Sequence, residues 1–272
     1  ILPKPALQII RTIRSLPGSY AWWRSKPAGA PTFLVIGGVK CGTYSLYEYF
    51  KRHPNVVTGA RKEIGYFNND QIYPNHHWYE SQFRIFDRRN PTQIQAVGEF
   101  TPSYCFSPCI ERIYDYYPRM KLIMMLRNPV DRAISQYHMY IHKSALTGES
   151  RDLQAAIFAD DNEMPHVSHA YLTRGRYHEQ LDMIYRYFPS EQTRVFRLED
   201  LAADPAHIMR EITDFLEIPP FRHIHFTPHN IGSYAPANPE ICKALSTYFA
   251  PHNAILHKRF GIRIDDWNEK YG

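Results

Sequence analysis

The chain has 272 residues, 44 % apolar and 22 % charged, an ordinary globular composition that allows a sizeable core. Its formal net charge is +5. That balance suits an anionic ligand, while the absence of any long run of like charges argues against nucleic acid as a partner. No apolar stretch approaches the roughly eighteen residues of a membrane span.

The four cysteines, Cys41, Cys105, Cys109 and Cys242, make no C-x-x-C pair, so neither a zinc knuckle nor a thioredoxin-type motif is readable and no metal is expected. Cys105 and Cys109 could pair in an oxidising compartment. The sequence opens on Ile1 rather than Met, which points to a trimmed N terminus. The compartment is left open between a bacterial cytoplasm and, with an anchor upstream, a Golgi lumen.

In chain order, residues 1–31 read as an N-terminal extension and linker. Leu7, Ile10 and Ile13 interleave with Arg11 and Arg14 as a short amphipathic helix, and Pro27 to Pro31 forms the link. The domain proper is expected over 32–272. Thr32 to Ile36 is an apolar, β-branched and aromatic run, the pattern of a buried parallel strand. It runs into Gly37 to Thr43, after which Leu46, Tyr47 and Phe50 recur at helical spacing. A short strand at Val56-Val57 follows, then helix and loop over 68–92, a strand end at Ala96 to Glu99 and a turn over 101–104. Ile110 to Tyr117 is helical. Lys121 to Leu126 is the clearest second buried strand, followed by a helix over 130–142. Residues 144–168 read as an irregular insertion. A helix over 177–188, a third buried strand over 193–198, a helix over 206–216, a polar loop over 223–239 and one or two closing helices complete the chain. Strands alternate with helices, so the expected class is α/β with a central, mainly parallel sheet flanked by helices.

Two segments carry chemistry. Gly37-Gly38-Val39-Lys40-Cys41-Gly42-Thr43-Tyr44-Ser45 joins a strand to a helix. Orphan N–H groups at a helix N-terminus bind anions, glycines permit close backbone approach, and Lys40, Thr43 and Ser45 add a charge and two hydroxyls. Lys40 precedes Gly42, so the segment is not a Walker A loop, and it lacks the G-x-G-x-x-G of dinucleotide folds. Arg127 stands at the carboxyl end of the second buried strand, with Ser135 two helical turns on. An arginine fork plus a hydroxyl suits a phosphate monoester. Together the two clamps imply a nucleoside phosphorylated at both ends. Taken singly, each is also compatible with a plain strand-to-helix turn.

These residues resemble the sulfotransferase superfamily. Gly37 to Leu46 is similar to its 5′-phosphosulfate loop, and Leu126 to Tyr137 to its 3′-phosphate segment. Lys62-Glu63 before Tyr66-Phe67, Glu99-Phe100-Thr101-Pro102-Ser103-Tyr104, Gly175-Arg176-Tyr177 through Leu181, and Leu198-Glu199-Asp200-Leu201 resemble further segments of its carbohydrate branch, the heparan sulfate 3-O- and N-sulfotransferases. The resemblance implies a P-loop-like three-layer sandwich. It also implies transfer of a sulfuryl group from 3′-phosphoadenosine-5′-phosphosulfate (PAPS) to an acceptor hydroxyl or amine, on a carbohydrate, with adenosine 3′,5′-bisphosphate (PAP) as product. The chain departs from the family at Phe100, where the family has Lys, and at His229 to Tyr234, which stands in place of a Lys-Gly-Arg loop.

On this reading Lys40 stabilises the leaving phosphate and Glu63 is the base, with Glu99 and His76-His77 as alternative bases. Lys40, Cys41, Gly42, Thr43, Tyr44, Ser45, Arg127, Ser135 and Tyr234 hold the nucleotide, with Asn230 as another donor of a lid. Arg61, Lys62, Glu99, Tyr104, Arg174 and Tyr177 flank the acceptor. The competing readings are a small-molecule sulfotransferase with a His base, a P-loop kinase, and a non-catalytic nucleotide- or glycan-binding module.

Overall fold

The two strands Phe33–Gly37 and Lys121–Leu126 are short, largely apolar runs that end where polar, loop-forming residues begin. The computed structural model describes residues 25–85, 91–159, 170–222, 226–229, 232 and 234–271. Strands β1 (Phe33–Gly37), β2 (Val56–Thr58), β3 (Ala96–Phe100), β4 (Lys121–Leu126) and β5 (Thr193–Arg197) form one sheet in the order β2-β3-β1-β4-β5. All neighbouring pairs are parallel. Phe33 to Ile36 and Leu122 to Leu126 are fully buried, as strands covered on both faces must be.

The intervening helices are α1 (Thr43–Phe50), α2 (His76–Ser81), α3 (Cys109–Tyr116), α4 (Pro129–His142), α5 (Tyr177–Tyr187), α6 (Leu198–Ala203), α7 (Pro205–Leu216), α8 (Pro239–Phe260) and α9 (Asp265–Tyr271). Aromatic rings fill the space behind the sheet. Phe33 meets Phe50 and Phe100 at 5.5 and 5.8 Å between centroids, within the range of favourable ring pairs. Gly98 on β3 leaves the room Phe33 needs: a Cβ there would lie 2.1 Å from the ring.

The strand order decides where the functional residues meet. From β1 the chain turns outward to β2 and returns to β3, whereas from β4 it continues the other way to β5. The loops after β1 and β4 therefore diverge, and a crevice opens between them at the carboxyl ends of the strands. The β1–β4 register slips between Val35 and Gly37, as β1 leaves the ladder for its loop.

Three sequence expectations are modified. The sheet is wholly rather than mainly parallel. Residues 144–168, read as irregular, contain two short helices, Ser144–Thr147 and Leu153–Ile157. The second is started by Asp152, whose carboxylate accepts from the Ala155 N–H at 2.8 Å; five residues are too few to show a periodicity. Lys26–Pro27, within the expected linker, pairs antiparallel with Arg84–Ile85. The amphipathic segment over 7–14 and residues 160–169 lie outside the described residues.

Candidate active site

The crevice between the β1 and β4 loops is a cleft of about 1280 Å³. Its first end is built at helix starts. Gly42, at φ 83°, caps α1. A Cβ there would come within 2.6 Å of Leu198 Cδ1, so the turn needs glycine for both its conformation and its space. Asn128 caps α4 by accepting the Val130 N–H at 3.0 Å, with Pro129 at the first helical position. Its own N–H donates to Glu199 Oε1 at 2.8 Å, which ties the α4 start to the Glu-Asp-Leu segment. Arg127 Nη1 donates to the Lys40 carbonyl at 3.3 Å, so the two clamps seen in the sequence are in direct contact. Ser135 and Met139 share one face of α4, and Lys143, the residue that ends the helix, follows four further on; all three line the cleft wall. Lys40 Nζ lies 3.7 Å from Met139 Sδ.

Burial holds the Lys40 ammonium below the ordinary lysine range, and the cations Arg127, Lys143 and Lys62 press it lower. Such a gathering of positive charge in one cleft favours an anion among them. That is the fit expected for a ligand carrying two phosphate groups.

The second end is built from connections. The turn after β2 places Glu63 at φ 60°, with its N–H donating to the Phe100 carbonyl at 3.2 Å. Lys40, at φ 68°, Glu63 and Glu217 are the three non-glycine residues with positive φ among those described. Such conformations cost free energy and cluster at functional positions; two of the three are the pair that the sequence nominates for chemistry. The Lys62 ammonium pairs with the Glu63 carboxylate and lies 5.9 Å from the Tyr44 ring centroid. Lys62 is largely shielded, while Glu63 is 56 % exposed to the cleft and solvent.

Beneath this turn sits a buried carboxylate. Glu99, 1 % exposed, accepts hydroxyl hydrogen bonds from Tyr79 at 2.5 Å, Thr101 at 2.6 Å and Tyr104 at 2.7 Å. It also accepts the Gly65 N–H at 3.4 Å. Tyr104 in turn accepts the Tyr66 N–H at 2.6 Å. Burial raises the Glu99 pKa, opposed by those hydroxyl donors. The network therefore pins the backbone two and three residues beyond Glu63.

The remaining wall of this end is polar and aromatic. Asn68 donates to Ser103 at 2.8 Å, Arg112 pairs with Asp70 at 2.6 Å, and Arg174 lies 5.7 Å from the Phe106 ring centroid.

Residues 30–227 match the family model described as the sulfotransferase domain. The chain belongs to the sulfotransferase family. It is 26 % identical to the membrane-associated sulfotransferase kil1 of Dictyostelium discoideum over 84 % of this chain and 64 % of that protein. It is 26 % identical to the bifunctional heparan sulfate N-deacetylase/N-sulfotransferase 1 of Caenorhabditis briggsae over 88 % of this chain and 31 % of the relative. The sulfotransferase thus spans between about a third and two thirds of those relatives' length. The crystal structure of a sulfotransferase from Alicyclobacillus acidocaldarius superposes with a TM-score of 0.71 at 26 % identity, covering 88 % of this chain and 98 % of the other.

Of the nominated site residues, the sulfotransferase cleft is lined by Lys40, Gly42, Thr43, Tyr44, Ser45, Lys62, Glu63, Arg127, Ser135, Arg174 and Tyr234. Tyr234 stacks on His138 at 4.1 Å between centroids. Ser45 Oγ accepts the His229 N–H at 2.9 Å, joining the first loop to the late one. Asn230 lies outside the described residues.

Other nominations fall elsewhere. Glu99 and Tyr104 are in the core, their polar atoms engaged with each other. Tyr177 is also buried; its hydroxyl donates to the Arg127 carbonyl at 2.8 Å and lies 3.6 Å from Cys41 Sγ. These three support the cleft from beneath and do not flank it. Arg61 is turned to the Ile64 carbonyl at 3.2 Å, off the cleft wall. Cys41 is buried below the loop, its thiol pushed up to about 11 by that burial. His76 meets the Tyr66 hydroxyl at 2.8 Å, and neither it nor His77 lines the cleft. All four cysteines are free, so Cys105 and Cys109 are not paired.

The sequence reading missed Lys143, Phe106 and the Asp70–Arg112 pair. Lys143 carried a legible signal, eight residues after Ser135 where the same helix ends. The others meet only through packing of distant segments.

Proposed function

We propose that the chain transfers a sulfuryl group from PAPS to a hydroxyl of a carbohydrate acceptor. The observation that carries this reading is the contact of Arg127 with the Lys40 carbonyl inside one cleft that also holds Glu63. The donor supplies the sulfuryl group and departs as PAP. The N–H groups at the start of α1, with Thr43 and Ser45, hold the 5′-phosphate, supported by the Cys41 and Tyr44 segment of the loop. Arg127 and Ser135 hold the 3′-phosphate, and Tyr234 covers the nucleotide. Lys40 neutralises the charge that develops on the leaving phosphate oxygen. Glu63 takes the proton of the attacking hydroxyl, so the new O–S bond forms as the S–O bond to phosphate breaks. Lys62 orients that carboxylate through its ion pair. Arg174 and Phe106 border the space left for the acceptor.

The test is a labelled-sulfate assay over a panel of oligosaccharides, phenols and lipid alcohols, beside calorimetry with PAP. Saturable PAP binding with transfer to a sugar hydroxyl is the expected result. Transfer to phenols alone would replace the carbohydrate acceptor by a small molecule. Magnesium-ATP binding without PAP binding would overturn the reading altogether.

A further inference from the structure

Away from the cleft, the packing of α5 against α8 brings together three side chains that the sequence keeps 73 residues or more apart on the two helices. His178 and Glu179 open α5, and His252 faces them from the middle of α8. His178 Nε2 and His252 Nδ1 are 2.9 Å apart. The two rings are nearly coplanar, at 13°, with centroids 5.2 Å apart. One ligand atom from each of the two rings and from the Glu179 carboxylate all lie within 4.8 Å of one another.

We propose that His178, Glu179 and His252 form a binding site for a divalent transition-metal cation of the zinc type, clamping the start of α5 to α8. Two imidazoles and a carboxylate are a recurrent zinc donor set, leaving the fourth position to water. Zinc–nitrogen bonds of about 2.0–2.1 Å in a tetrahedron set the nitrogens about 3.3 Å apart. The observed pair therefore needs to open by about 0.4 Å, and each ring must swing by about 35° toward Glu179 so that both lone pairs meet one ion.

The protonation states favour this. The head-on contact requires one ring nitrogen to accept from the other, so at least one imidazole is neutral, the form that binds metal. A shift of the shared proton to the far nitrogen of whichever ring donates leaves both facing nitrogens with a lone pair. The adjoining arginines are largely engaged: Arg259 with Asp182, and Arg176 with the Tyr248 hydroxyl. The 3.8 Å contact of Arg176 with Glu179 is long, and it is the interaction a cation would displace. Glu179 is 46 % exposed, which gives an ion a path from solvent. The site is separate from the transfer reaction and stands whether or not that reading does.

The test uses the full chain stripped with EDTA, titrated with zinc chloride by calorimetry and followed by thermal unfolding. One saturable site and a raised unfolding midpoint are expected. His252→Gln and Glu179→Gln should each weaken zinc binding by at least the roughly 10–100-fold that loss of an outer-shell partner costs. His207→Gln, which alters a separate exposed His–Glu pair, should leave it unchanged. Glu179→Gln keeps the test valid should a histidine variant fold poorly, because that carboxylate is half exposed. Absence of saturable zinc binding to the wild-type chain, or equal affinity in the wild type and both site variants, overturns the proposal.

Discussion

The two ends of the cleft are made in different ways. The Lys40–Arg127 end rests on the termini of regular elements: two buried strands deliver the loops, and two capped helices receive them. The Glu63 end rests on connections held from below by one buried carboxylate and its hydroxyl donors. The first end is rigid by secondary structure and specialised for fixed charge. The second owes its geometry to side-chain hydrogen bonds between residues distant in sequence, so the two ends should fail differently when altered.

The largest expected effect is at the second end. Glu63→Gln keeps the shape of the turn and removes the proton acceptor, so kcat should fall by roughly 10²–10⁴-fold with PAP affinity unchanged. Calorimetry beside the sulfate-transfer assay separates the two quantities. A variant that retains full turnover would return the role of base to another group.

At the first end the division should reverse by residue. Lys40→Ala should lower kcat by roughly 10²–10³-fold, as loss of one electrostatic stabiliser does elsewhere. Arg127→Ala should mainly weaken PAP binding, by about 1.5–3 kcal/mol for a charge-assisted hydrogen bond. Should Arg127→Ala leave PAP affinity intact, the assignment of the 3′-phosphate to that strand end fails.

This contrast also explains what was legible in the sequence. The first end could be read because each clamp is contiguous: Gly37 to Ser45 in one run, Arg127 to Ser135 in another, each following a strand that declares itself by apolarity. The strand order that joins them is not local, yet any parallel α/β sheet gathers its strand ends on one side. The second end was legible only at Lys62-Glu63. Tyr104 was nominated as a sugar contact, but its hydroxyl is committed to Glu99 and to the Tyr66 N–H. That commitment depends on the fold of residues 64–67, which no periodicity announces. Phe106 and Asp70 reach the wall from two separate loops, and Arg112 from α3, for the same reason. Glu99 was nominated as an alternative base and as an acceptor contact, in a segment that resembles one of the family's. Its burial follows from β3 being covered on both faces, which a run of five residues containing Gly98 and Glu99 does not announce.

A smaller effect should come from that carboxylate. Glu99→Gln replaces one accepting oxygen with a donor that the surrounding hydroxyls cannot all satisfy. The turn carrying Glu63 should then loosen. A displacement of reacting groups by 1 Å can cost about 100-fold. The shift two residues from the pinned backbone is smaller, so kcat should drop on the order of tenfold. The apparent KM for PAPS should hold, because the first end does not touch this network. The unfolding midpoint should also fall, since Tyr79 and Tyr104 lose a buried partner. A rise in KM for PAPS instead would mean that the two ends are coupled.

The smallest effect concerns pH and sharpens the account of the first end. Lys40 grips its anion as an ammonium. Burial and the neighbouring cations Arg127, Lys143 and Lys62 hold its pKa below the ordinary lysine value in the free protein. Bound PAP reverses part of that by placing negative charge beside it. The complex therefore holds the Lys40 proton more tightly than the free protein does, and binding takes up a proton wherever the free lysine has begun to lose it. By linkage, PAP affinity must decline as pH rises through the free-protein pKa, at a limit of about tenfold per pH unit for one proton. The decline should begin below the range of an ordinary lysine. Lys40→Arg keeps a charge that does not titrate there, so its affinity, even if lower overall, should lack this alkaline limb. A limb of equal slope in Lys40→Arg would assign the titration to another group. A wild-type affinity flat up to about pH 10 would mean that the cation cluster is not under the electrostatic pressure its crowding implies.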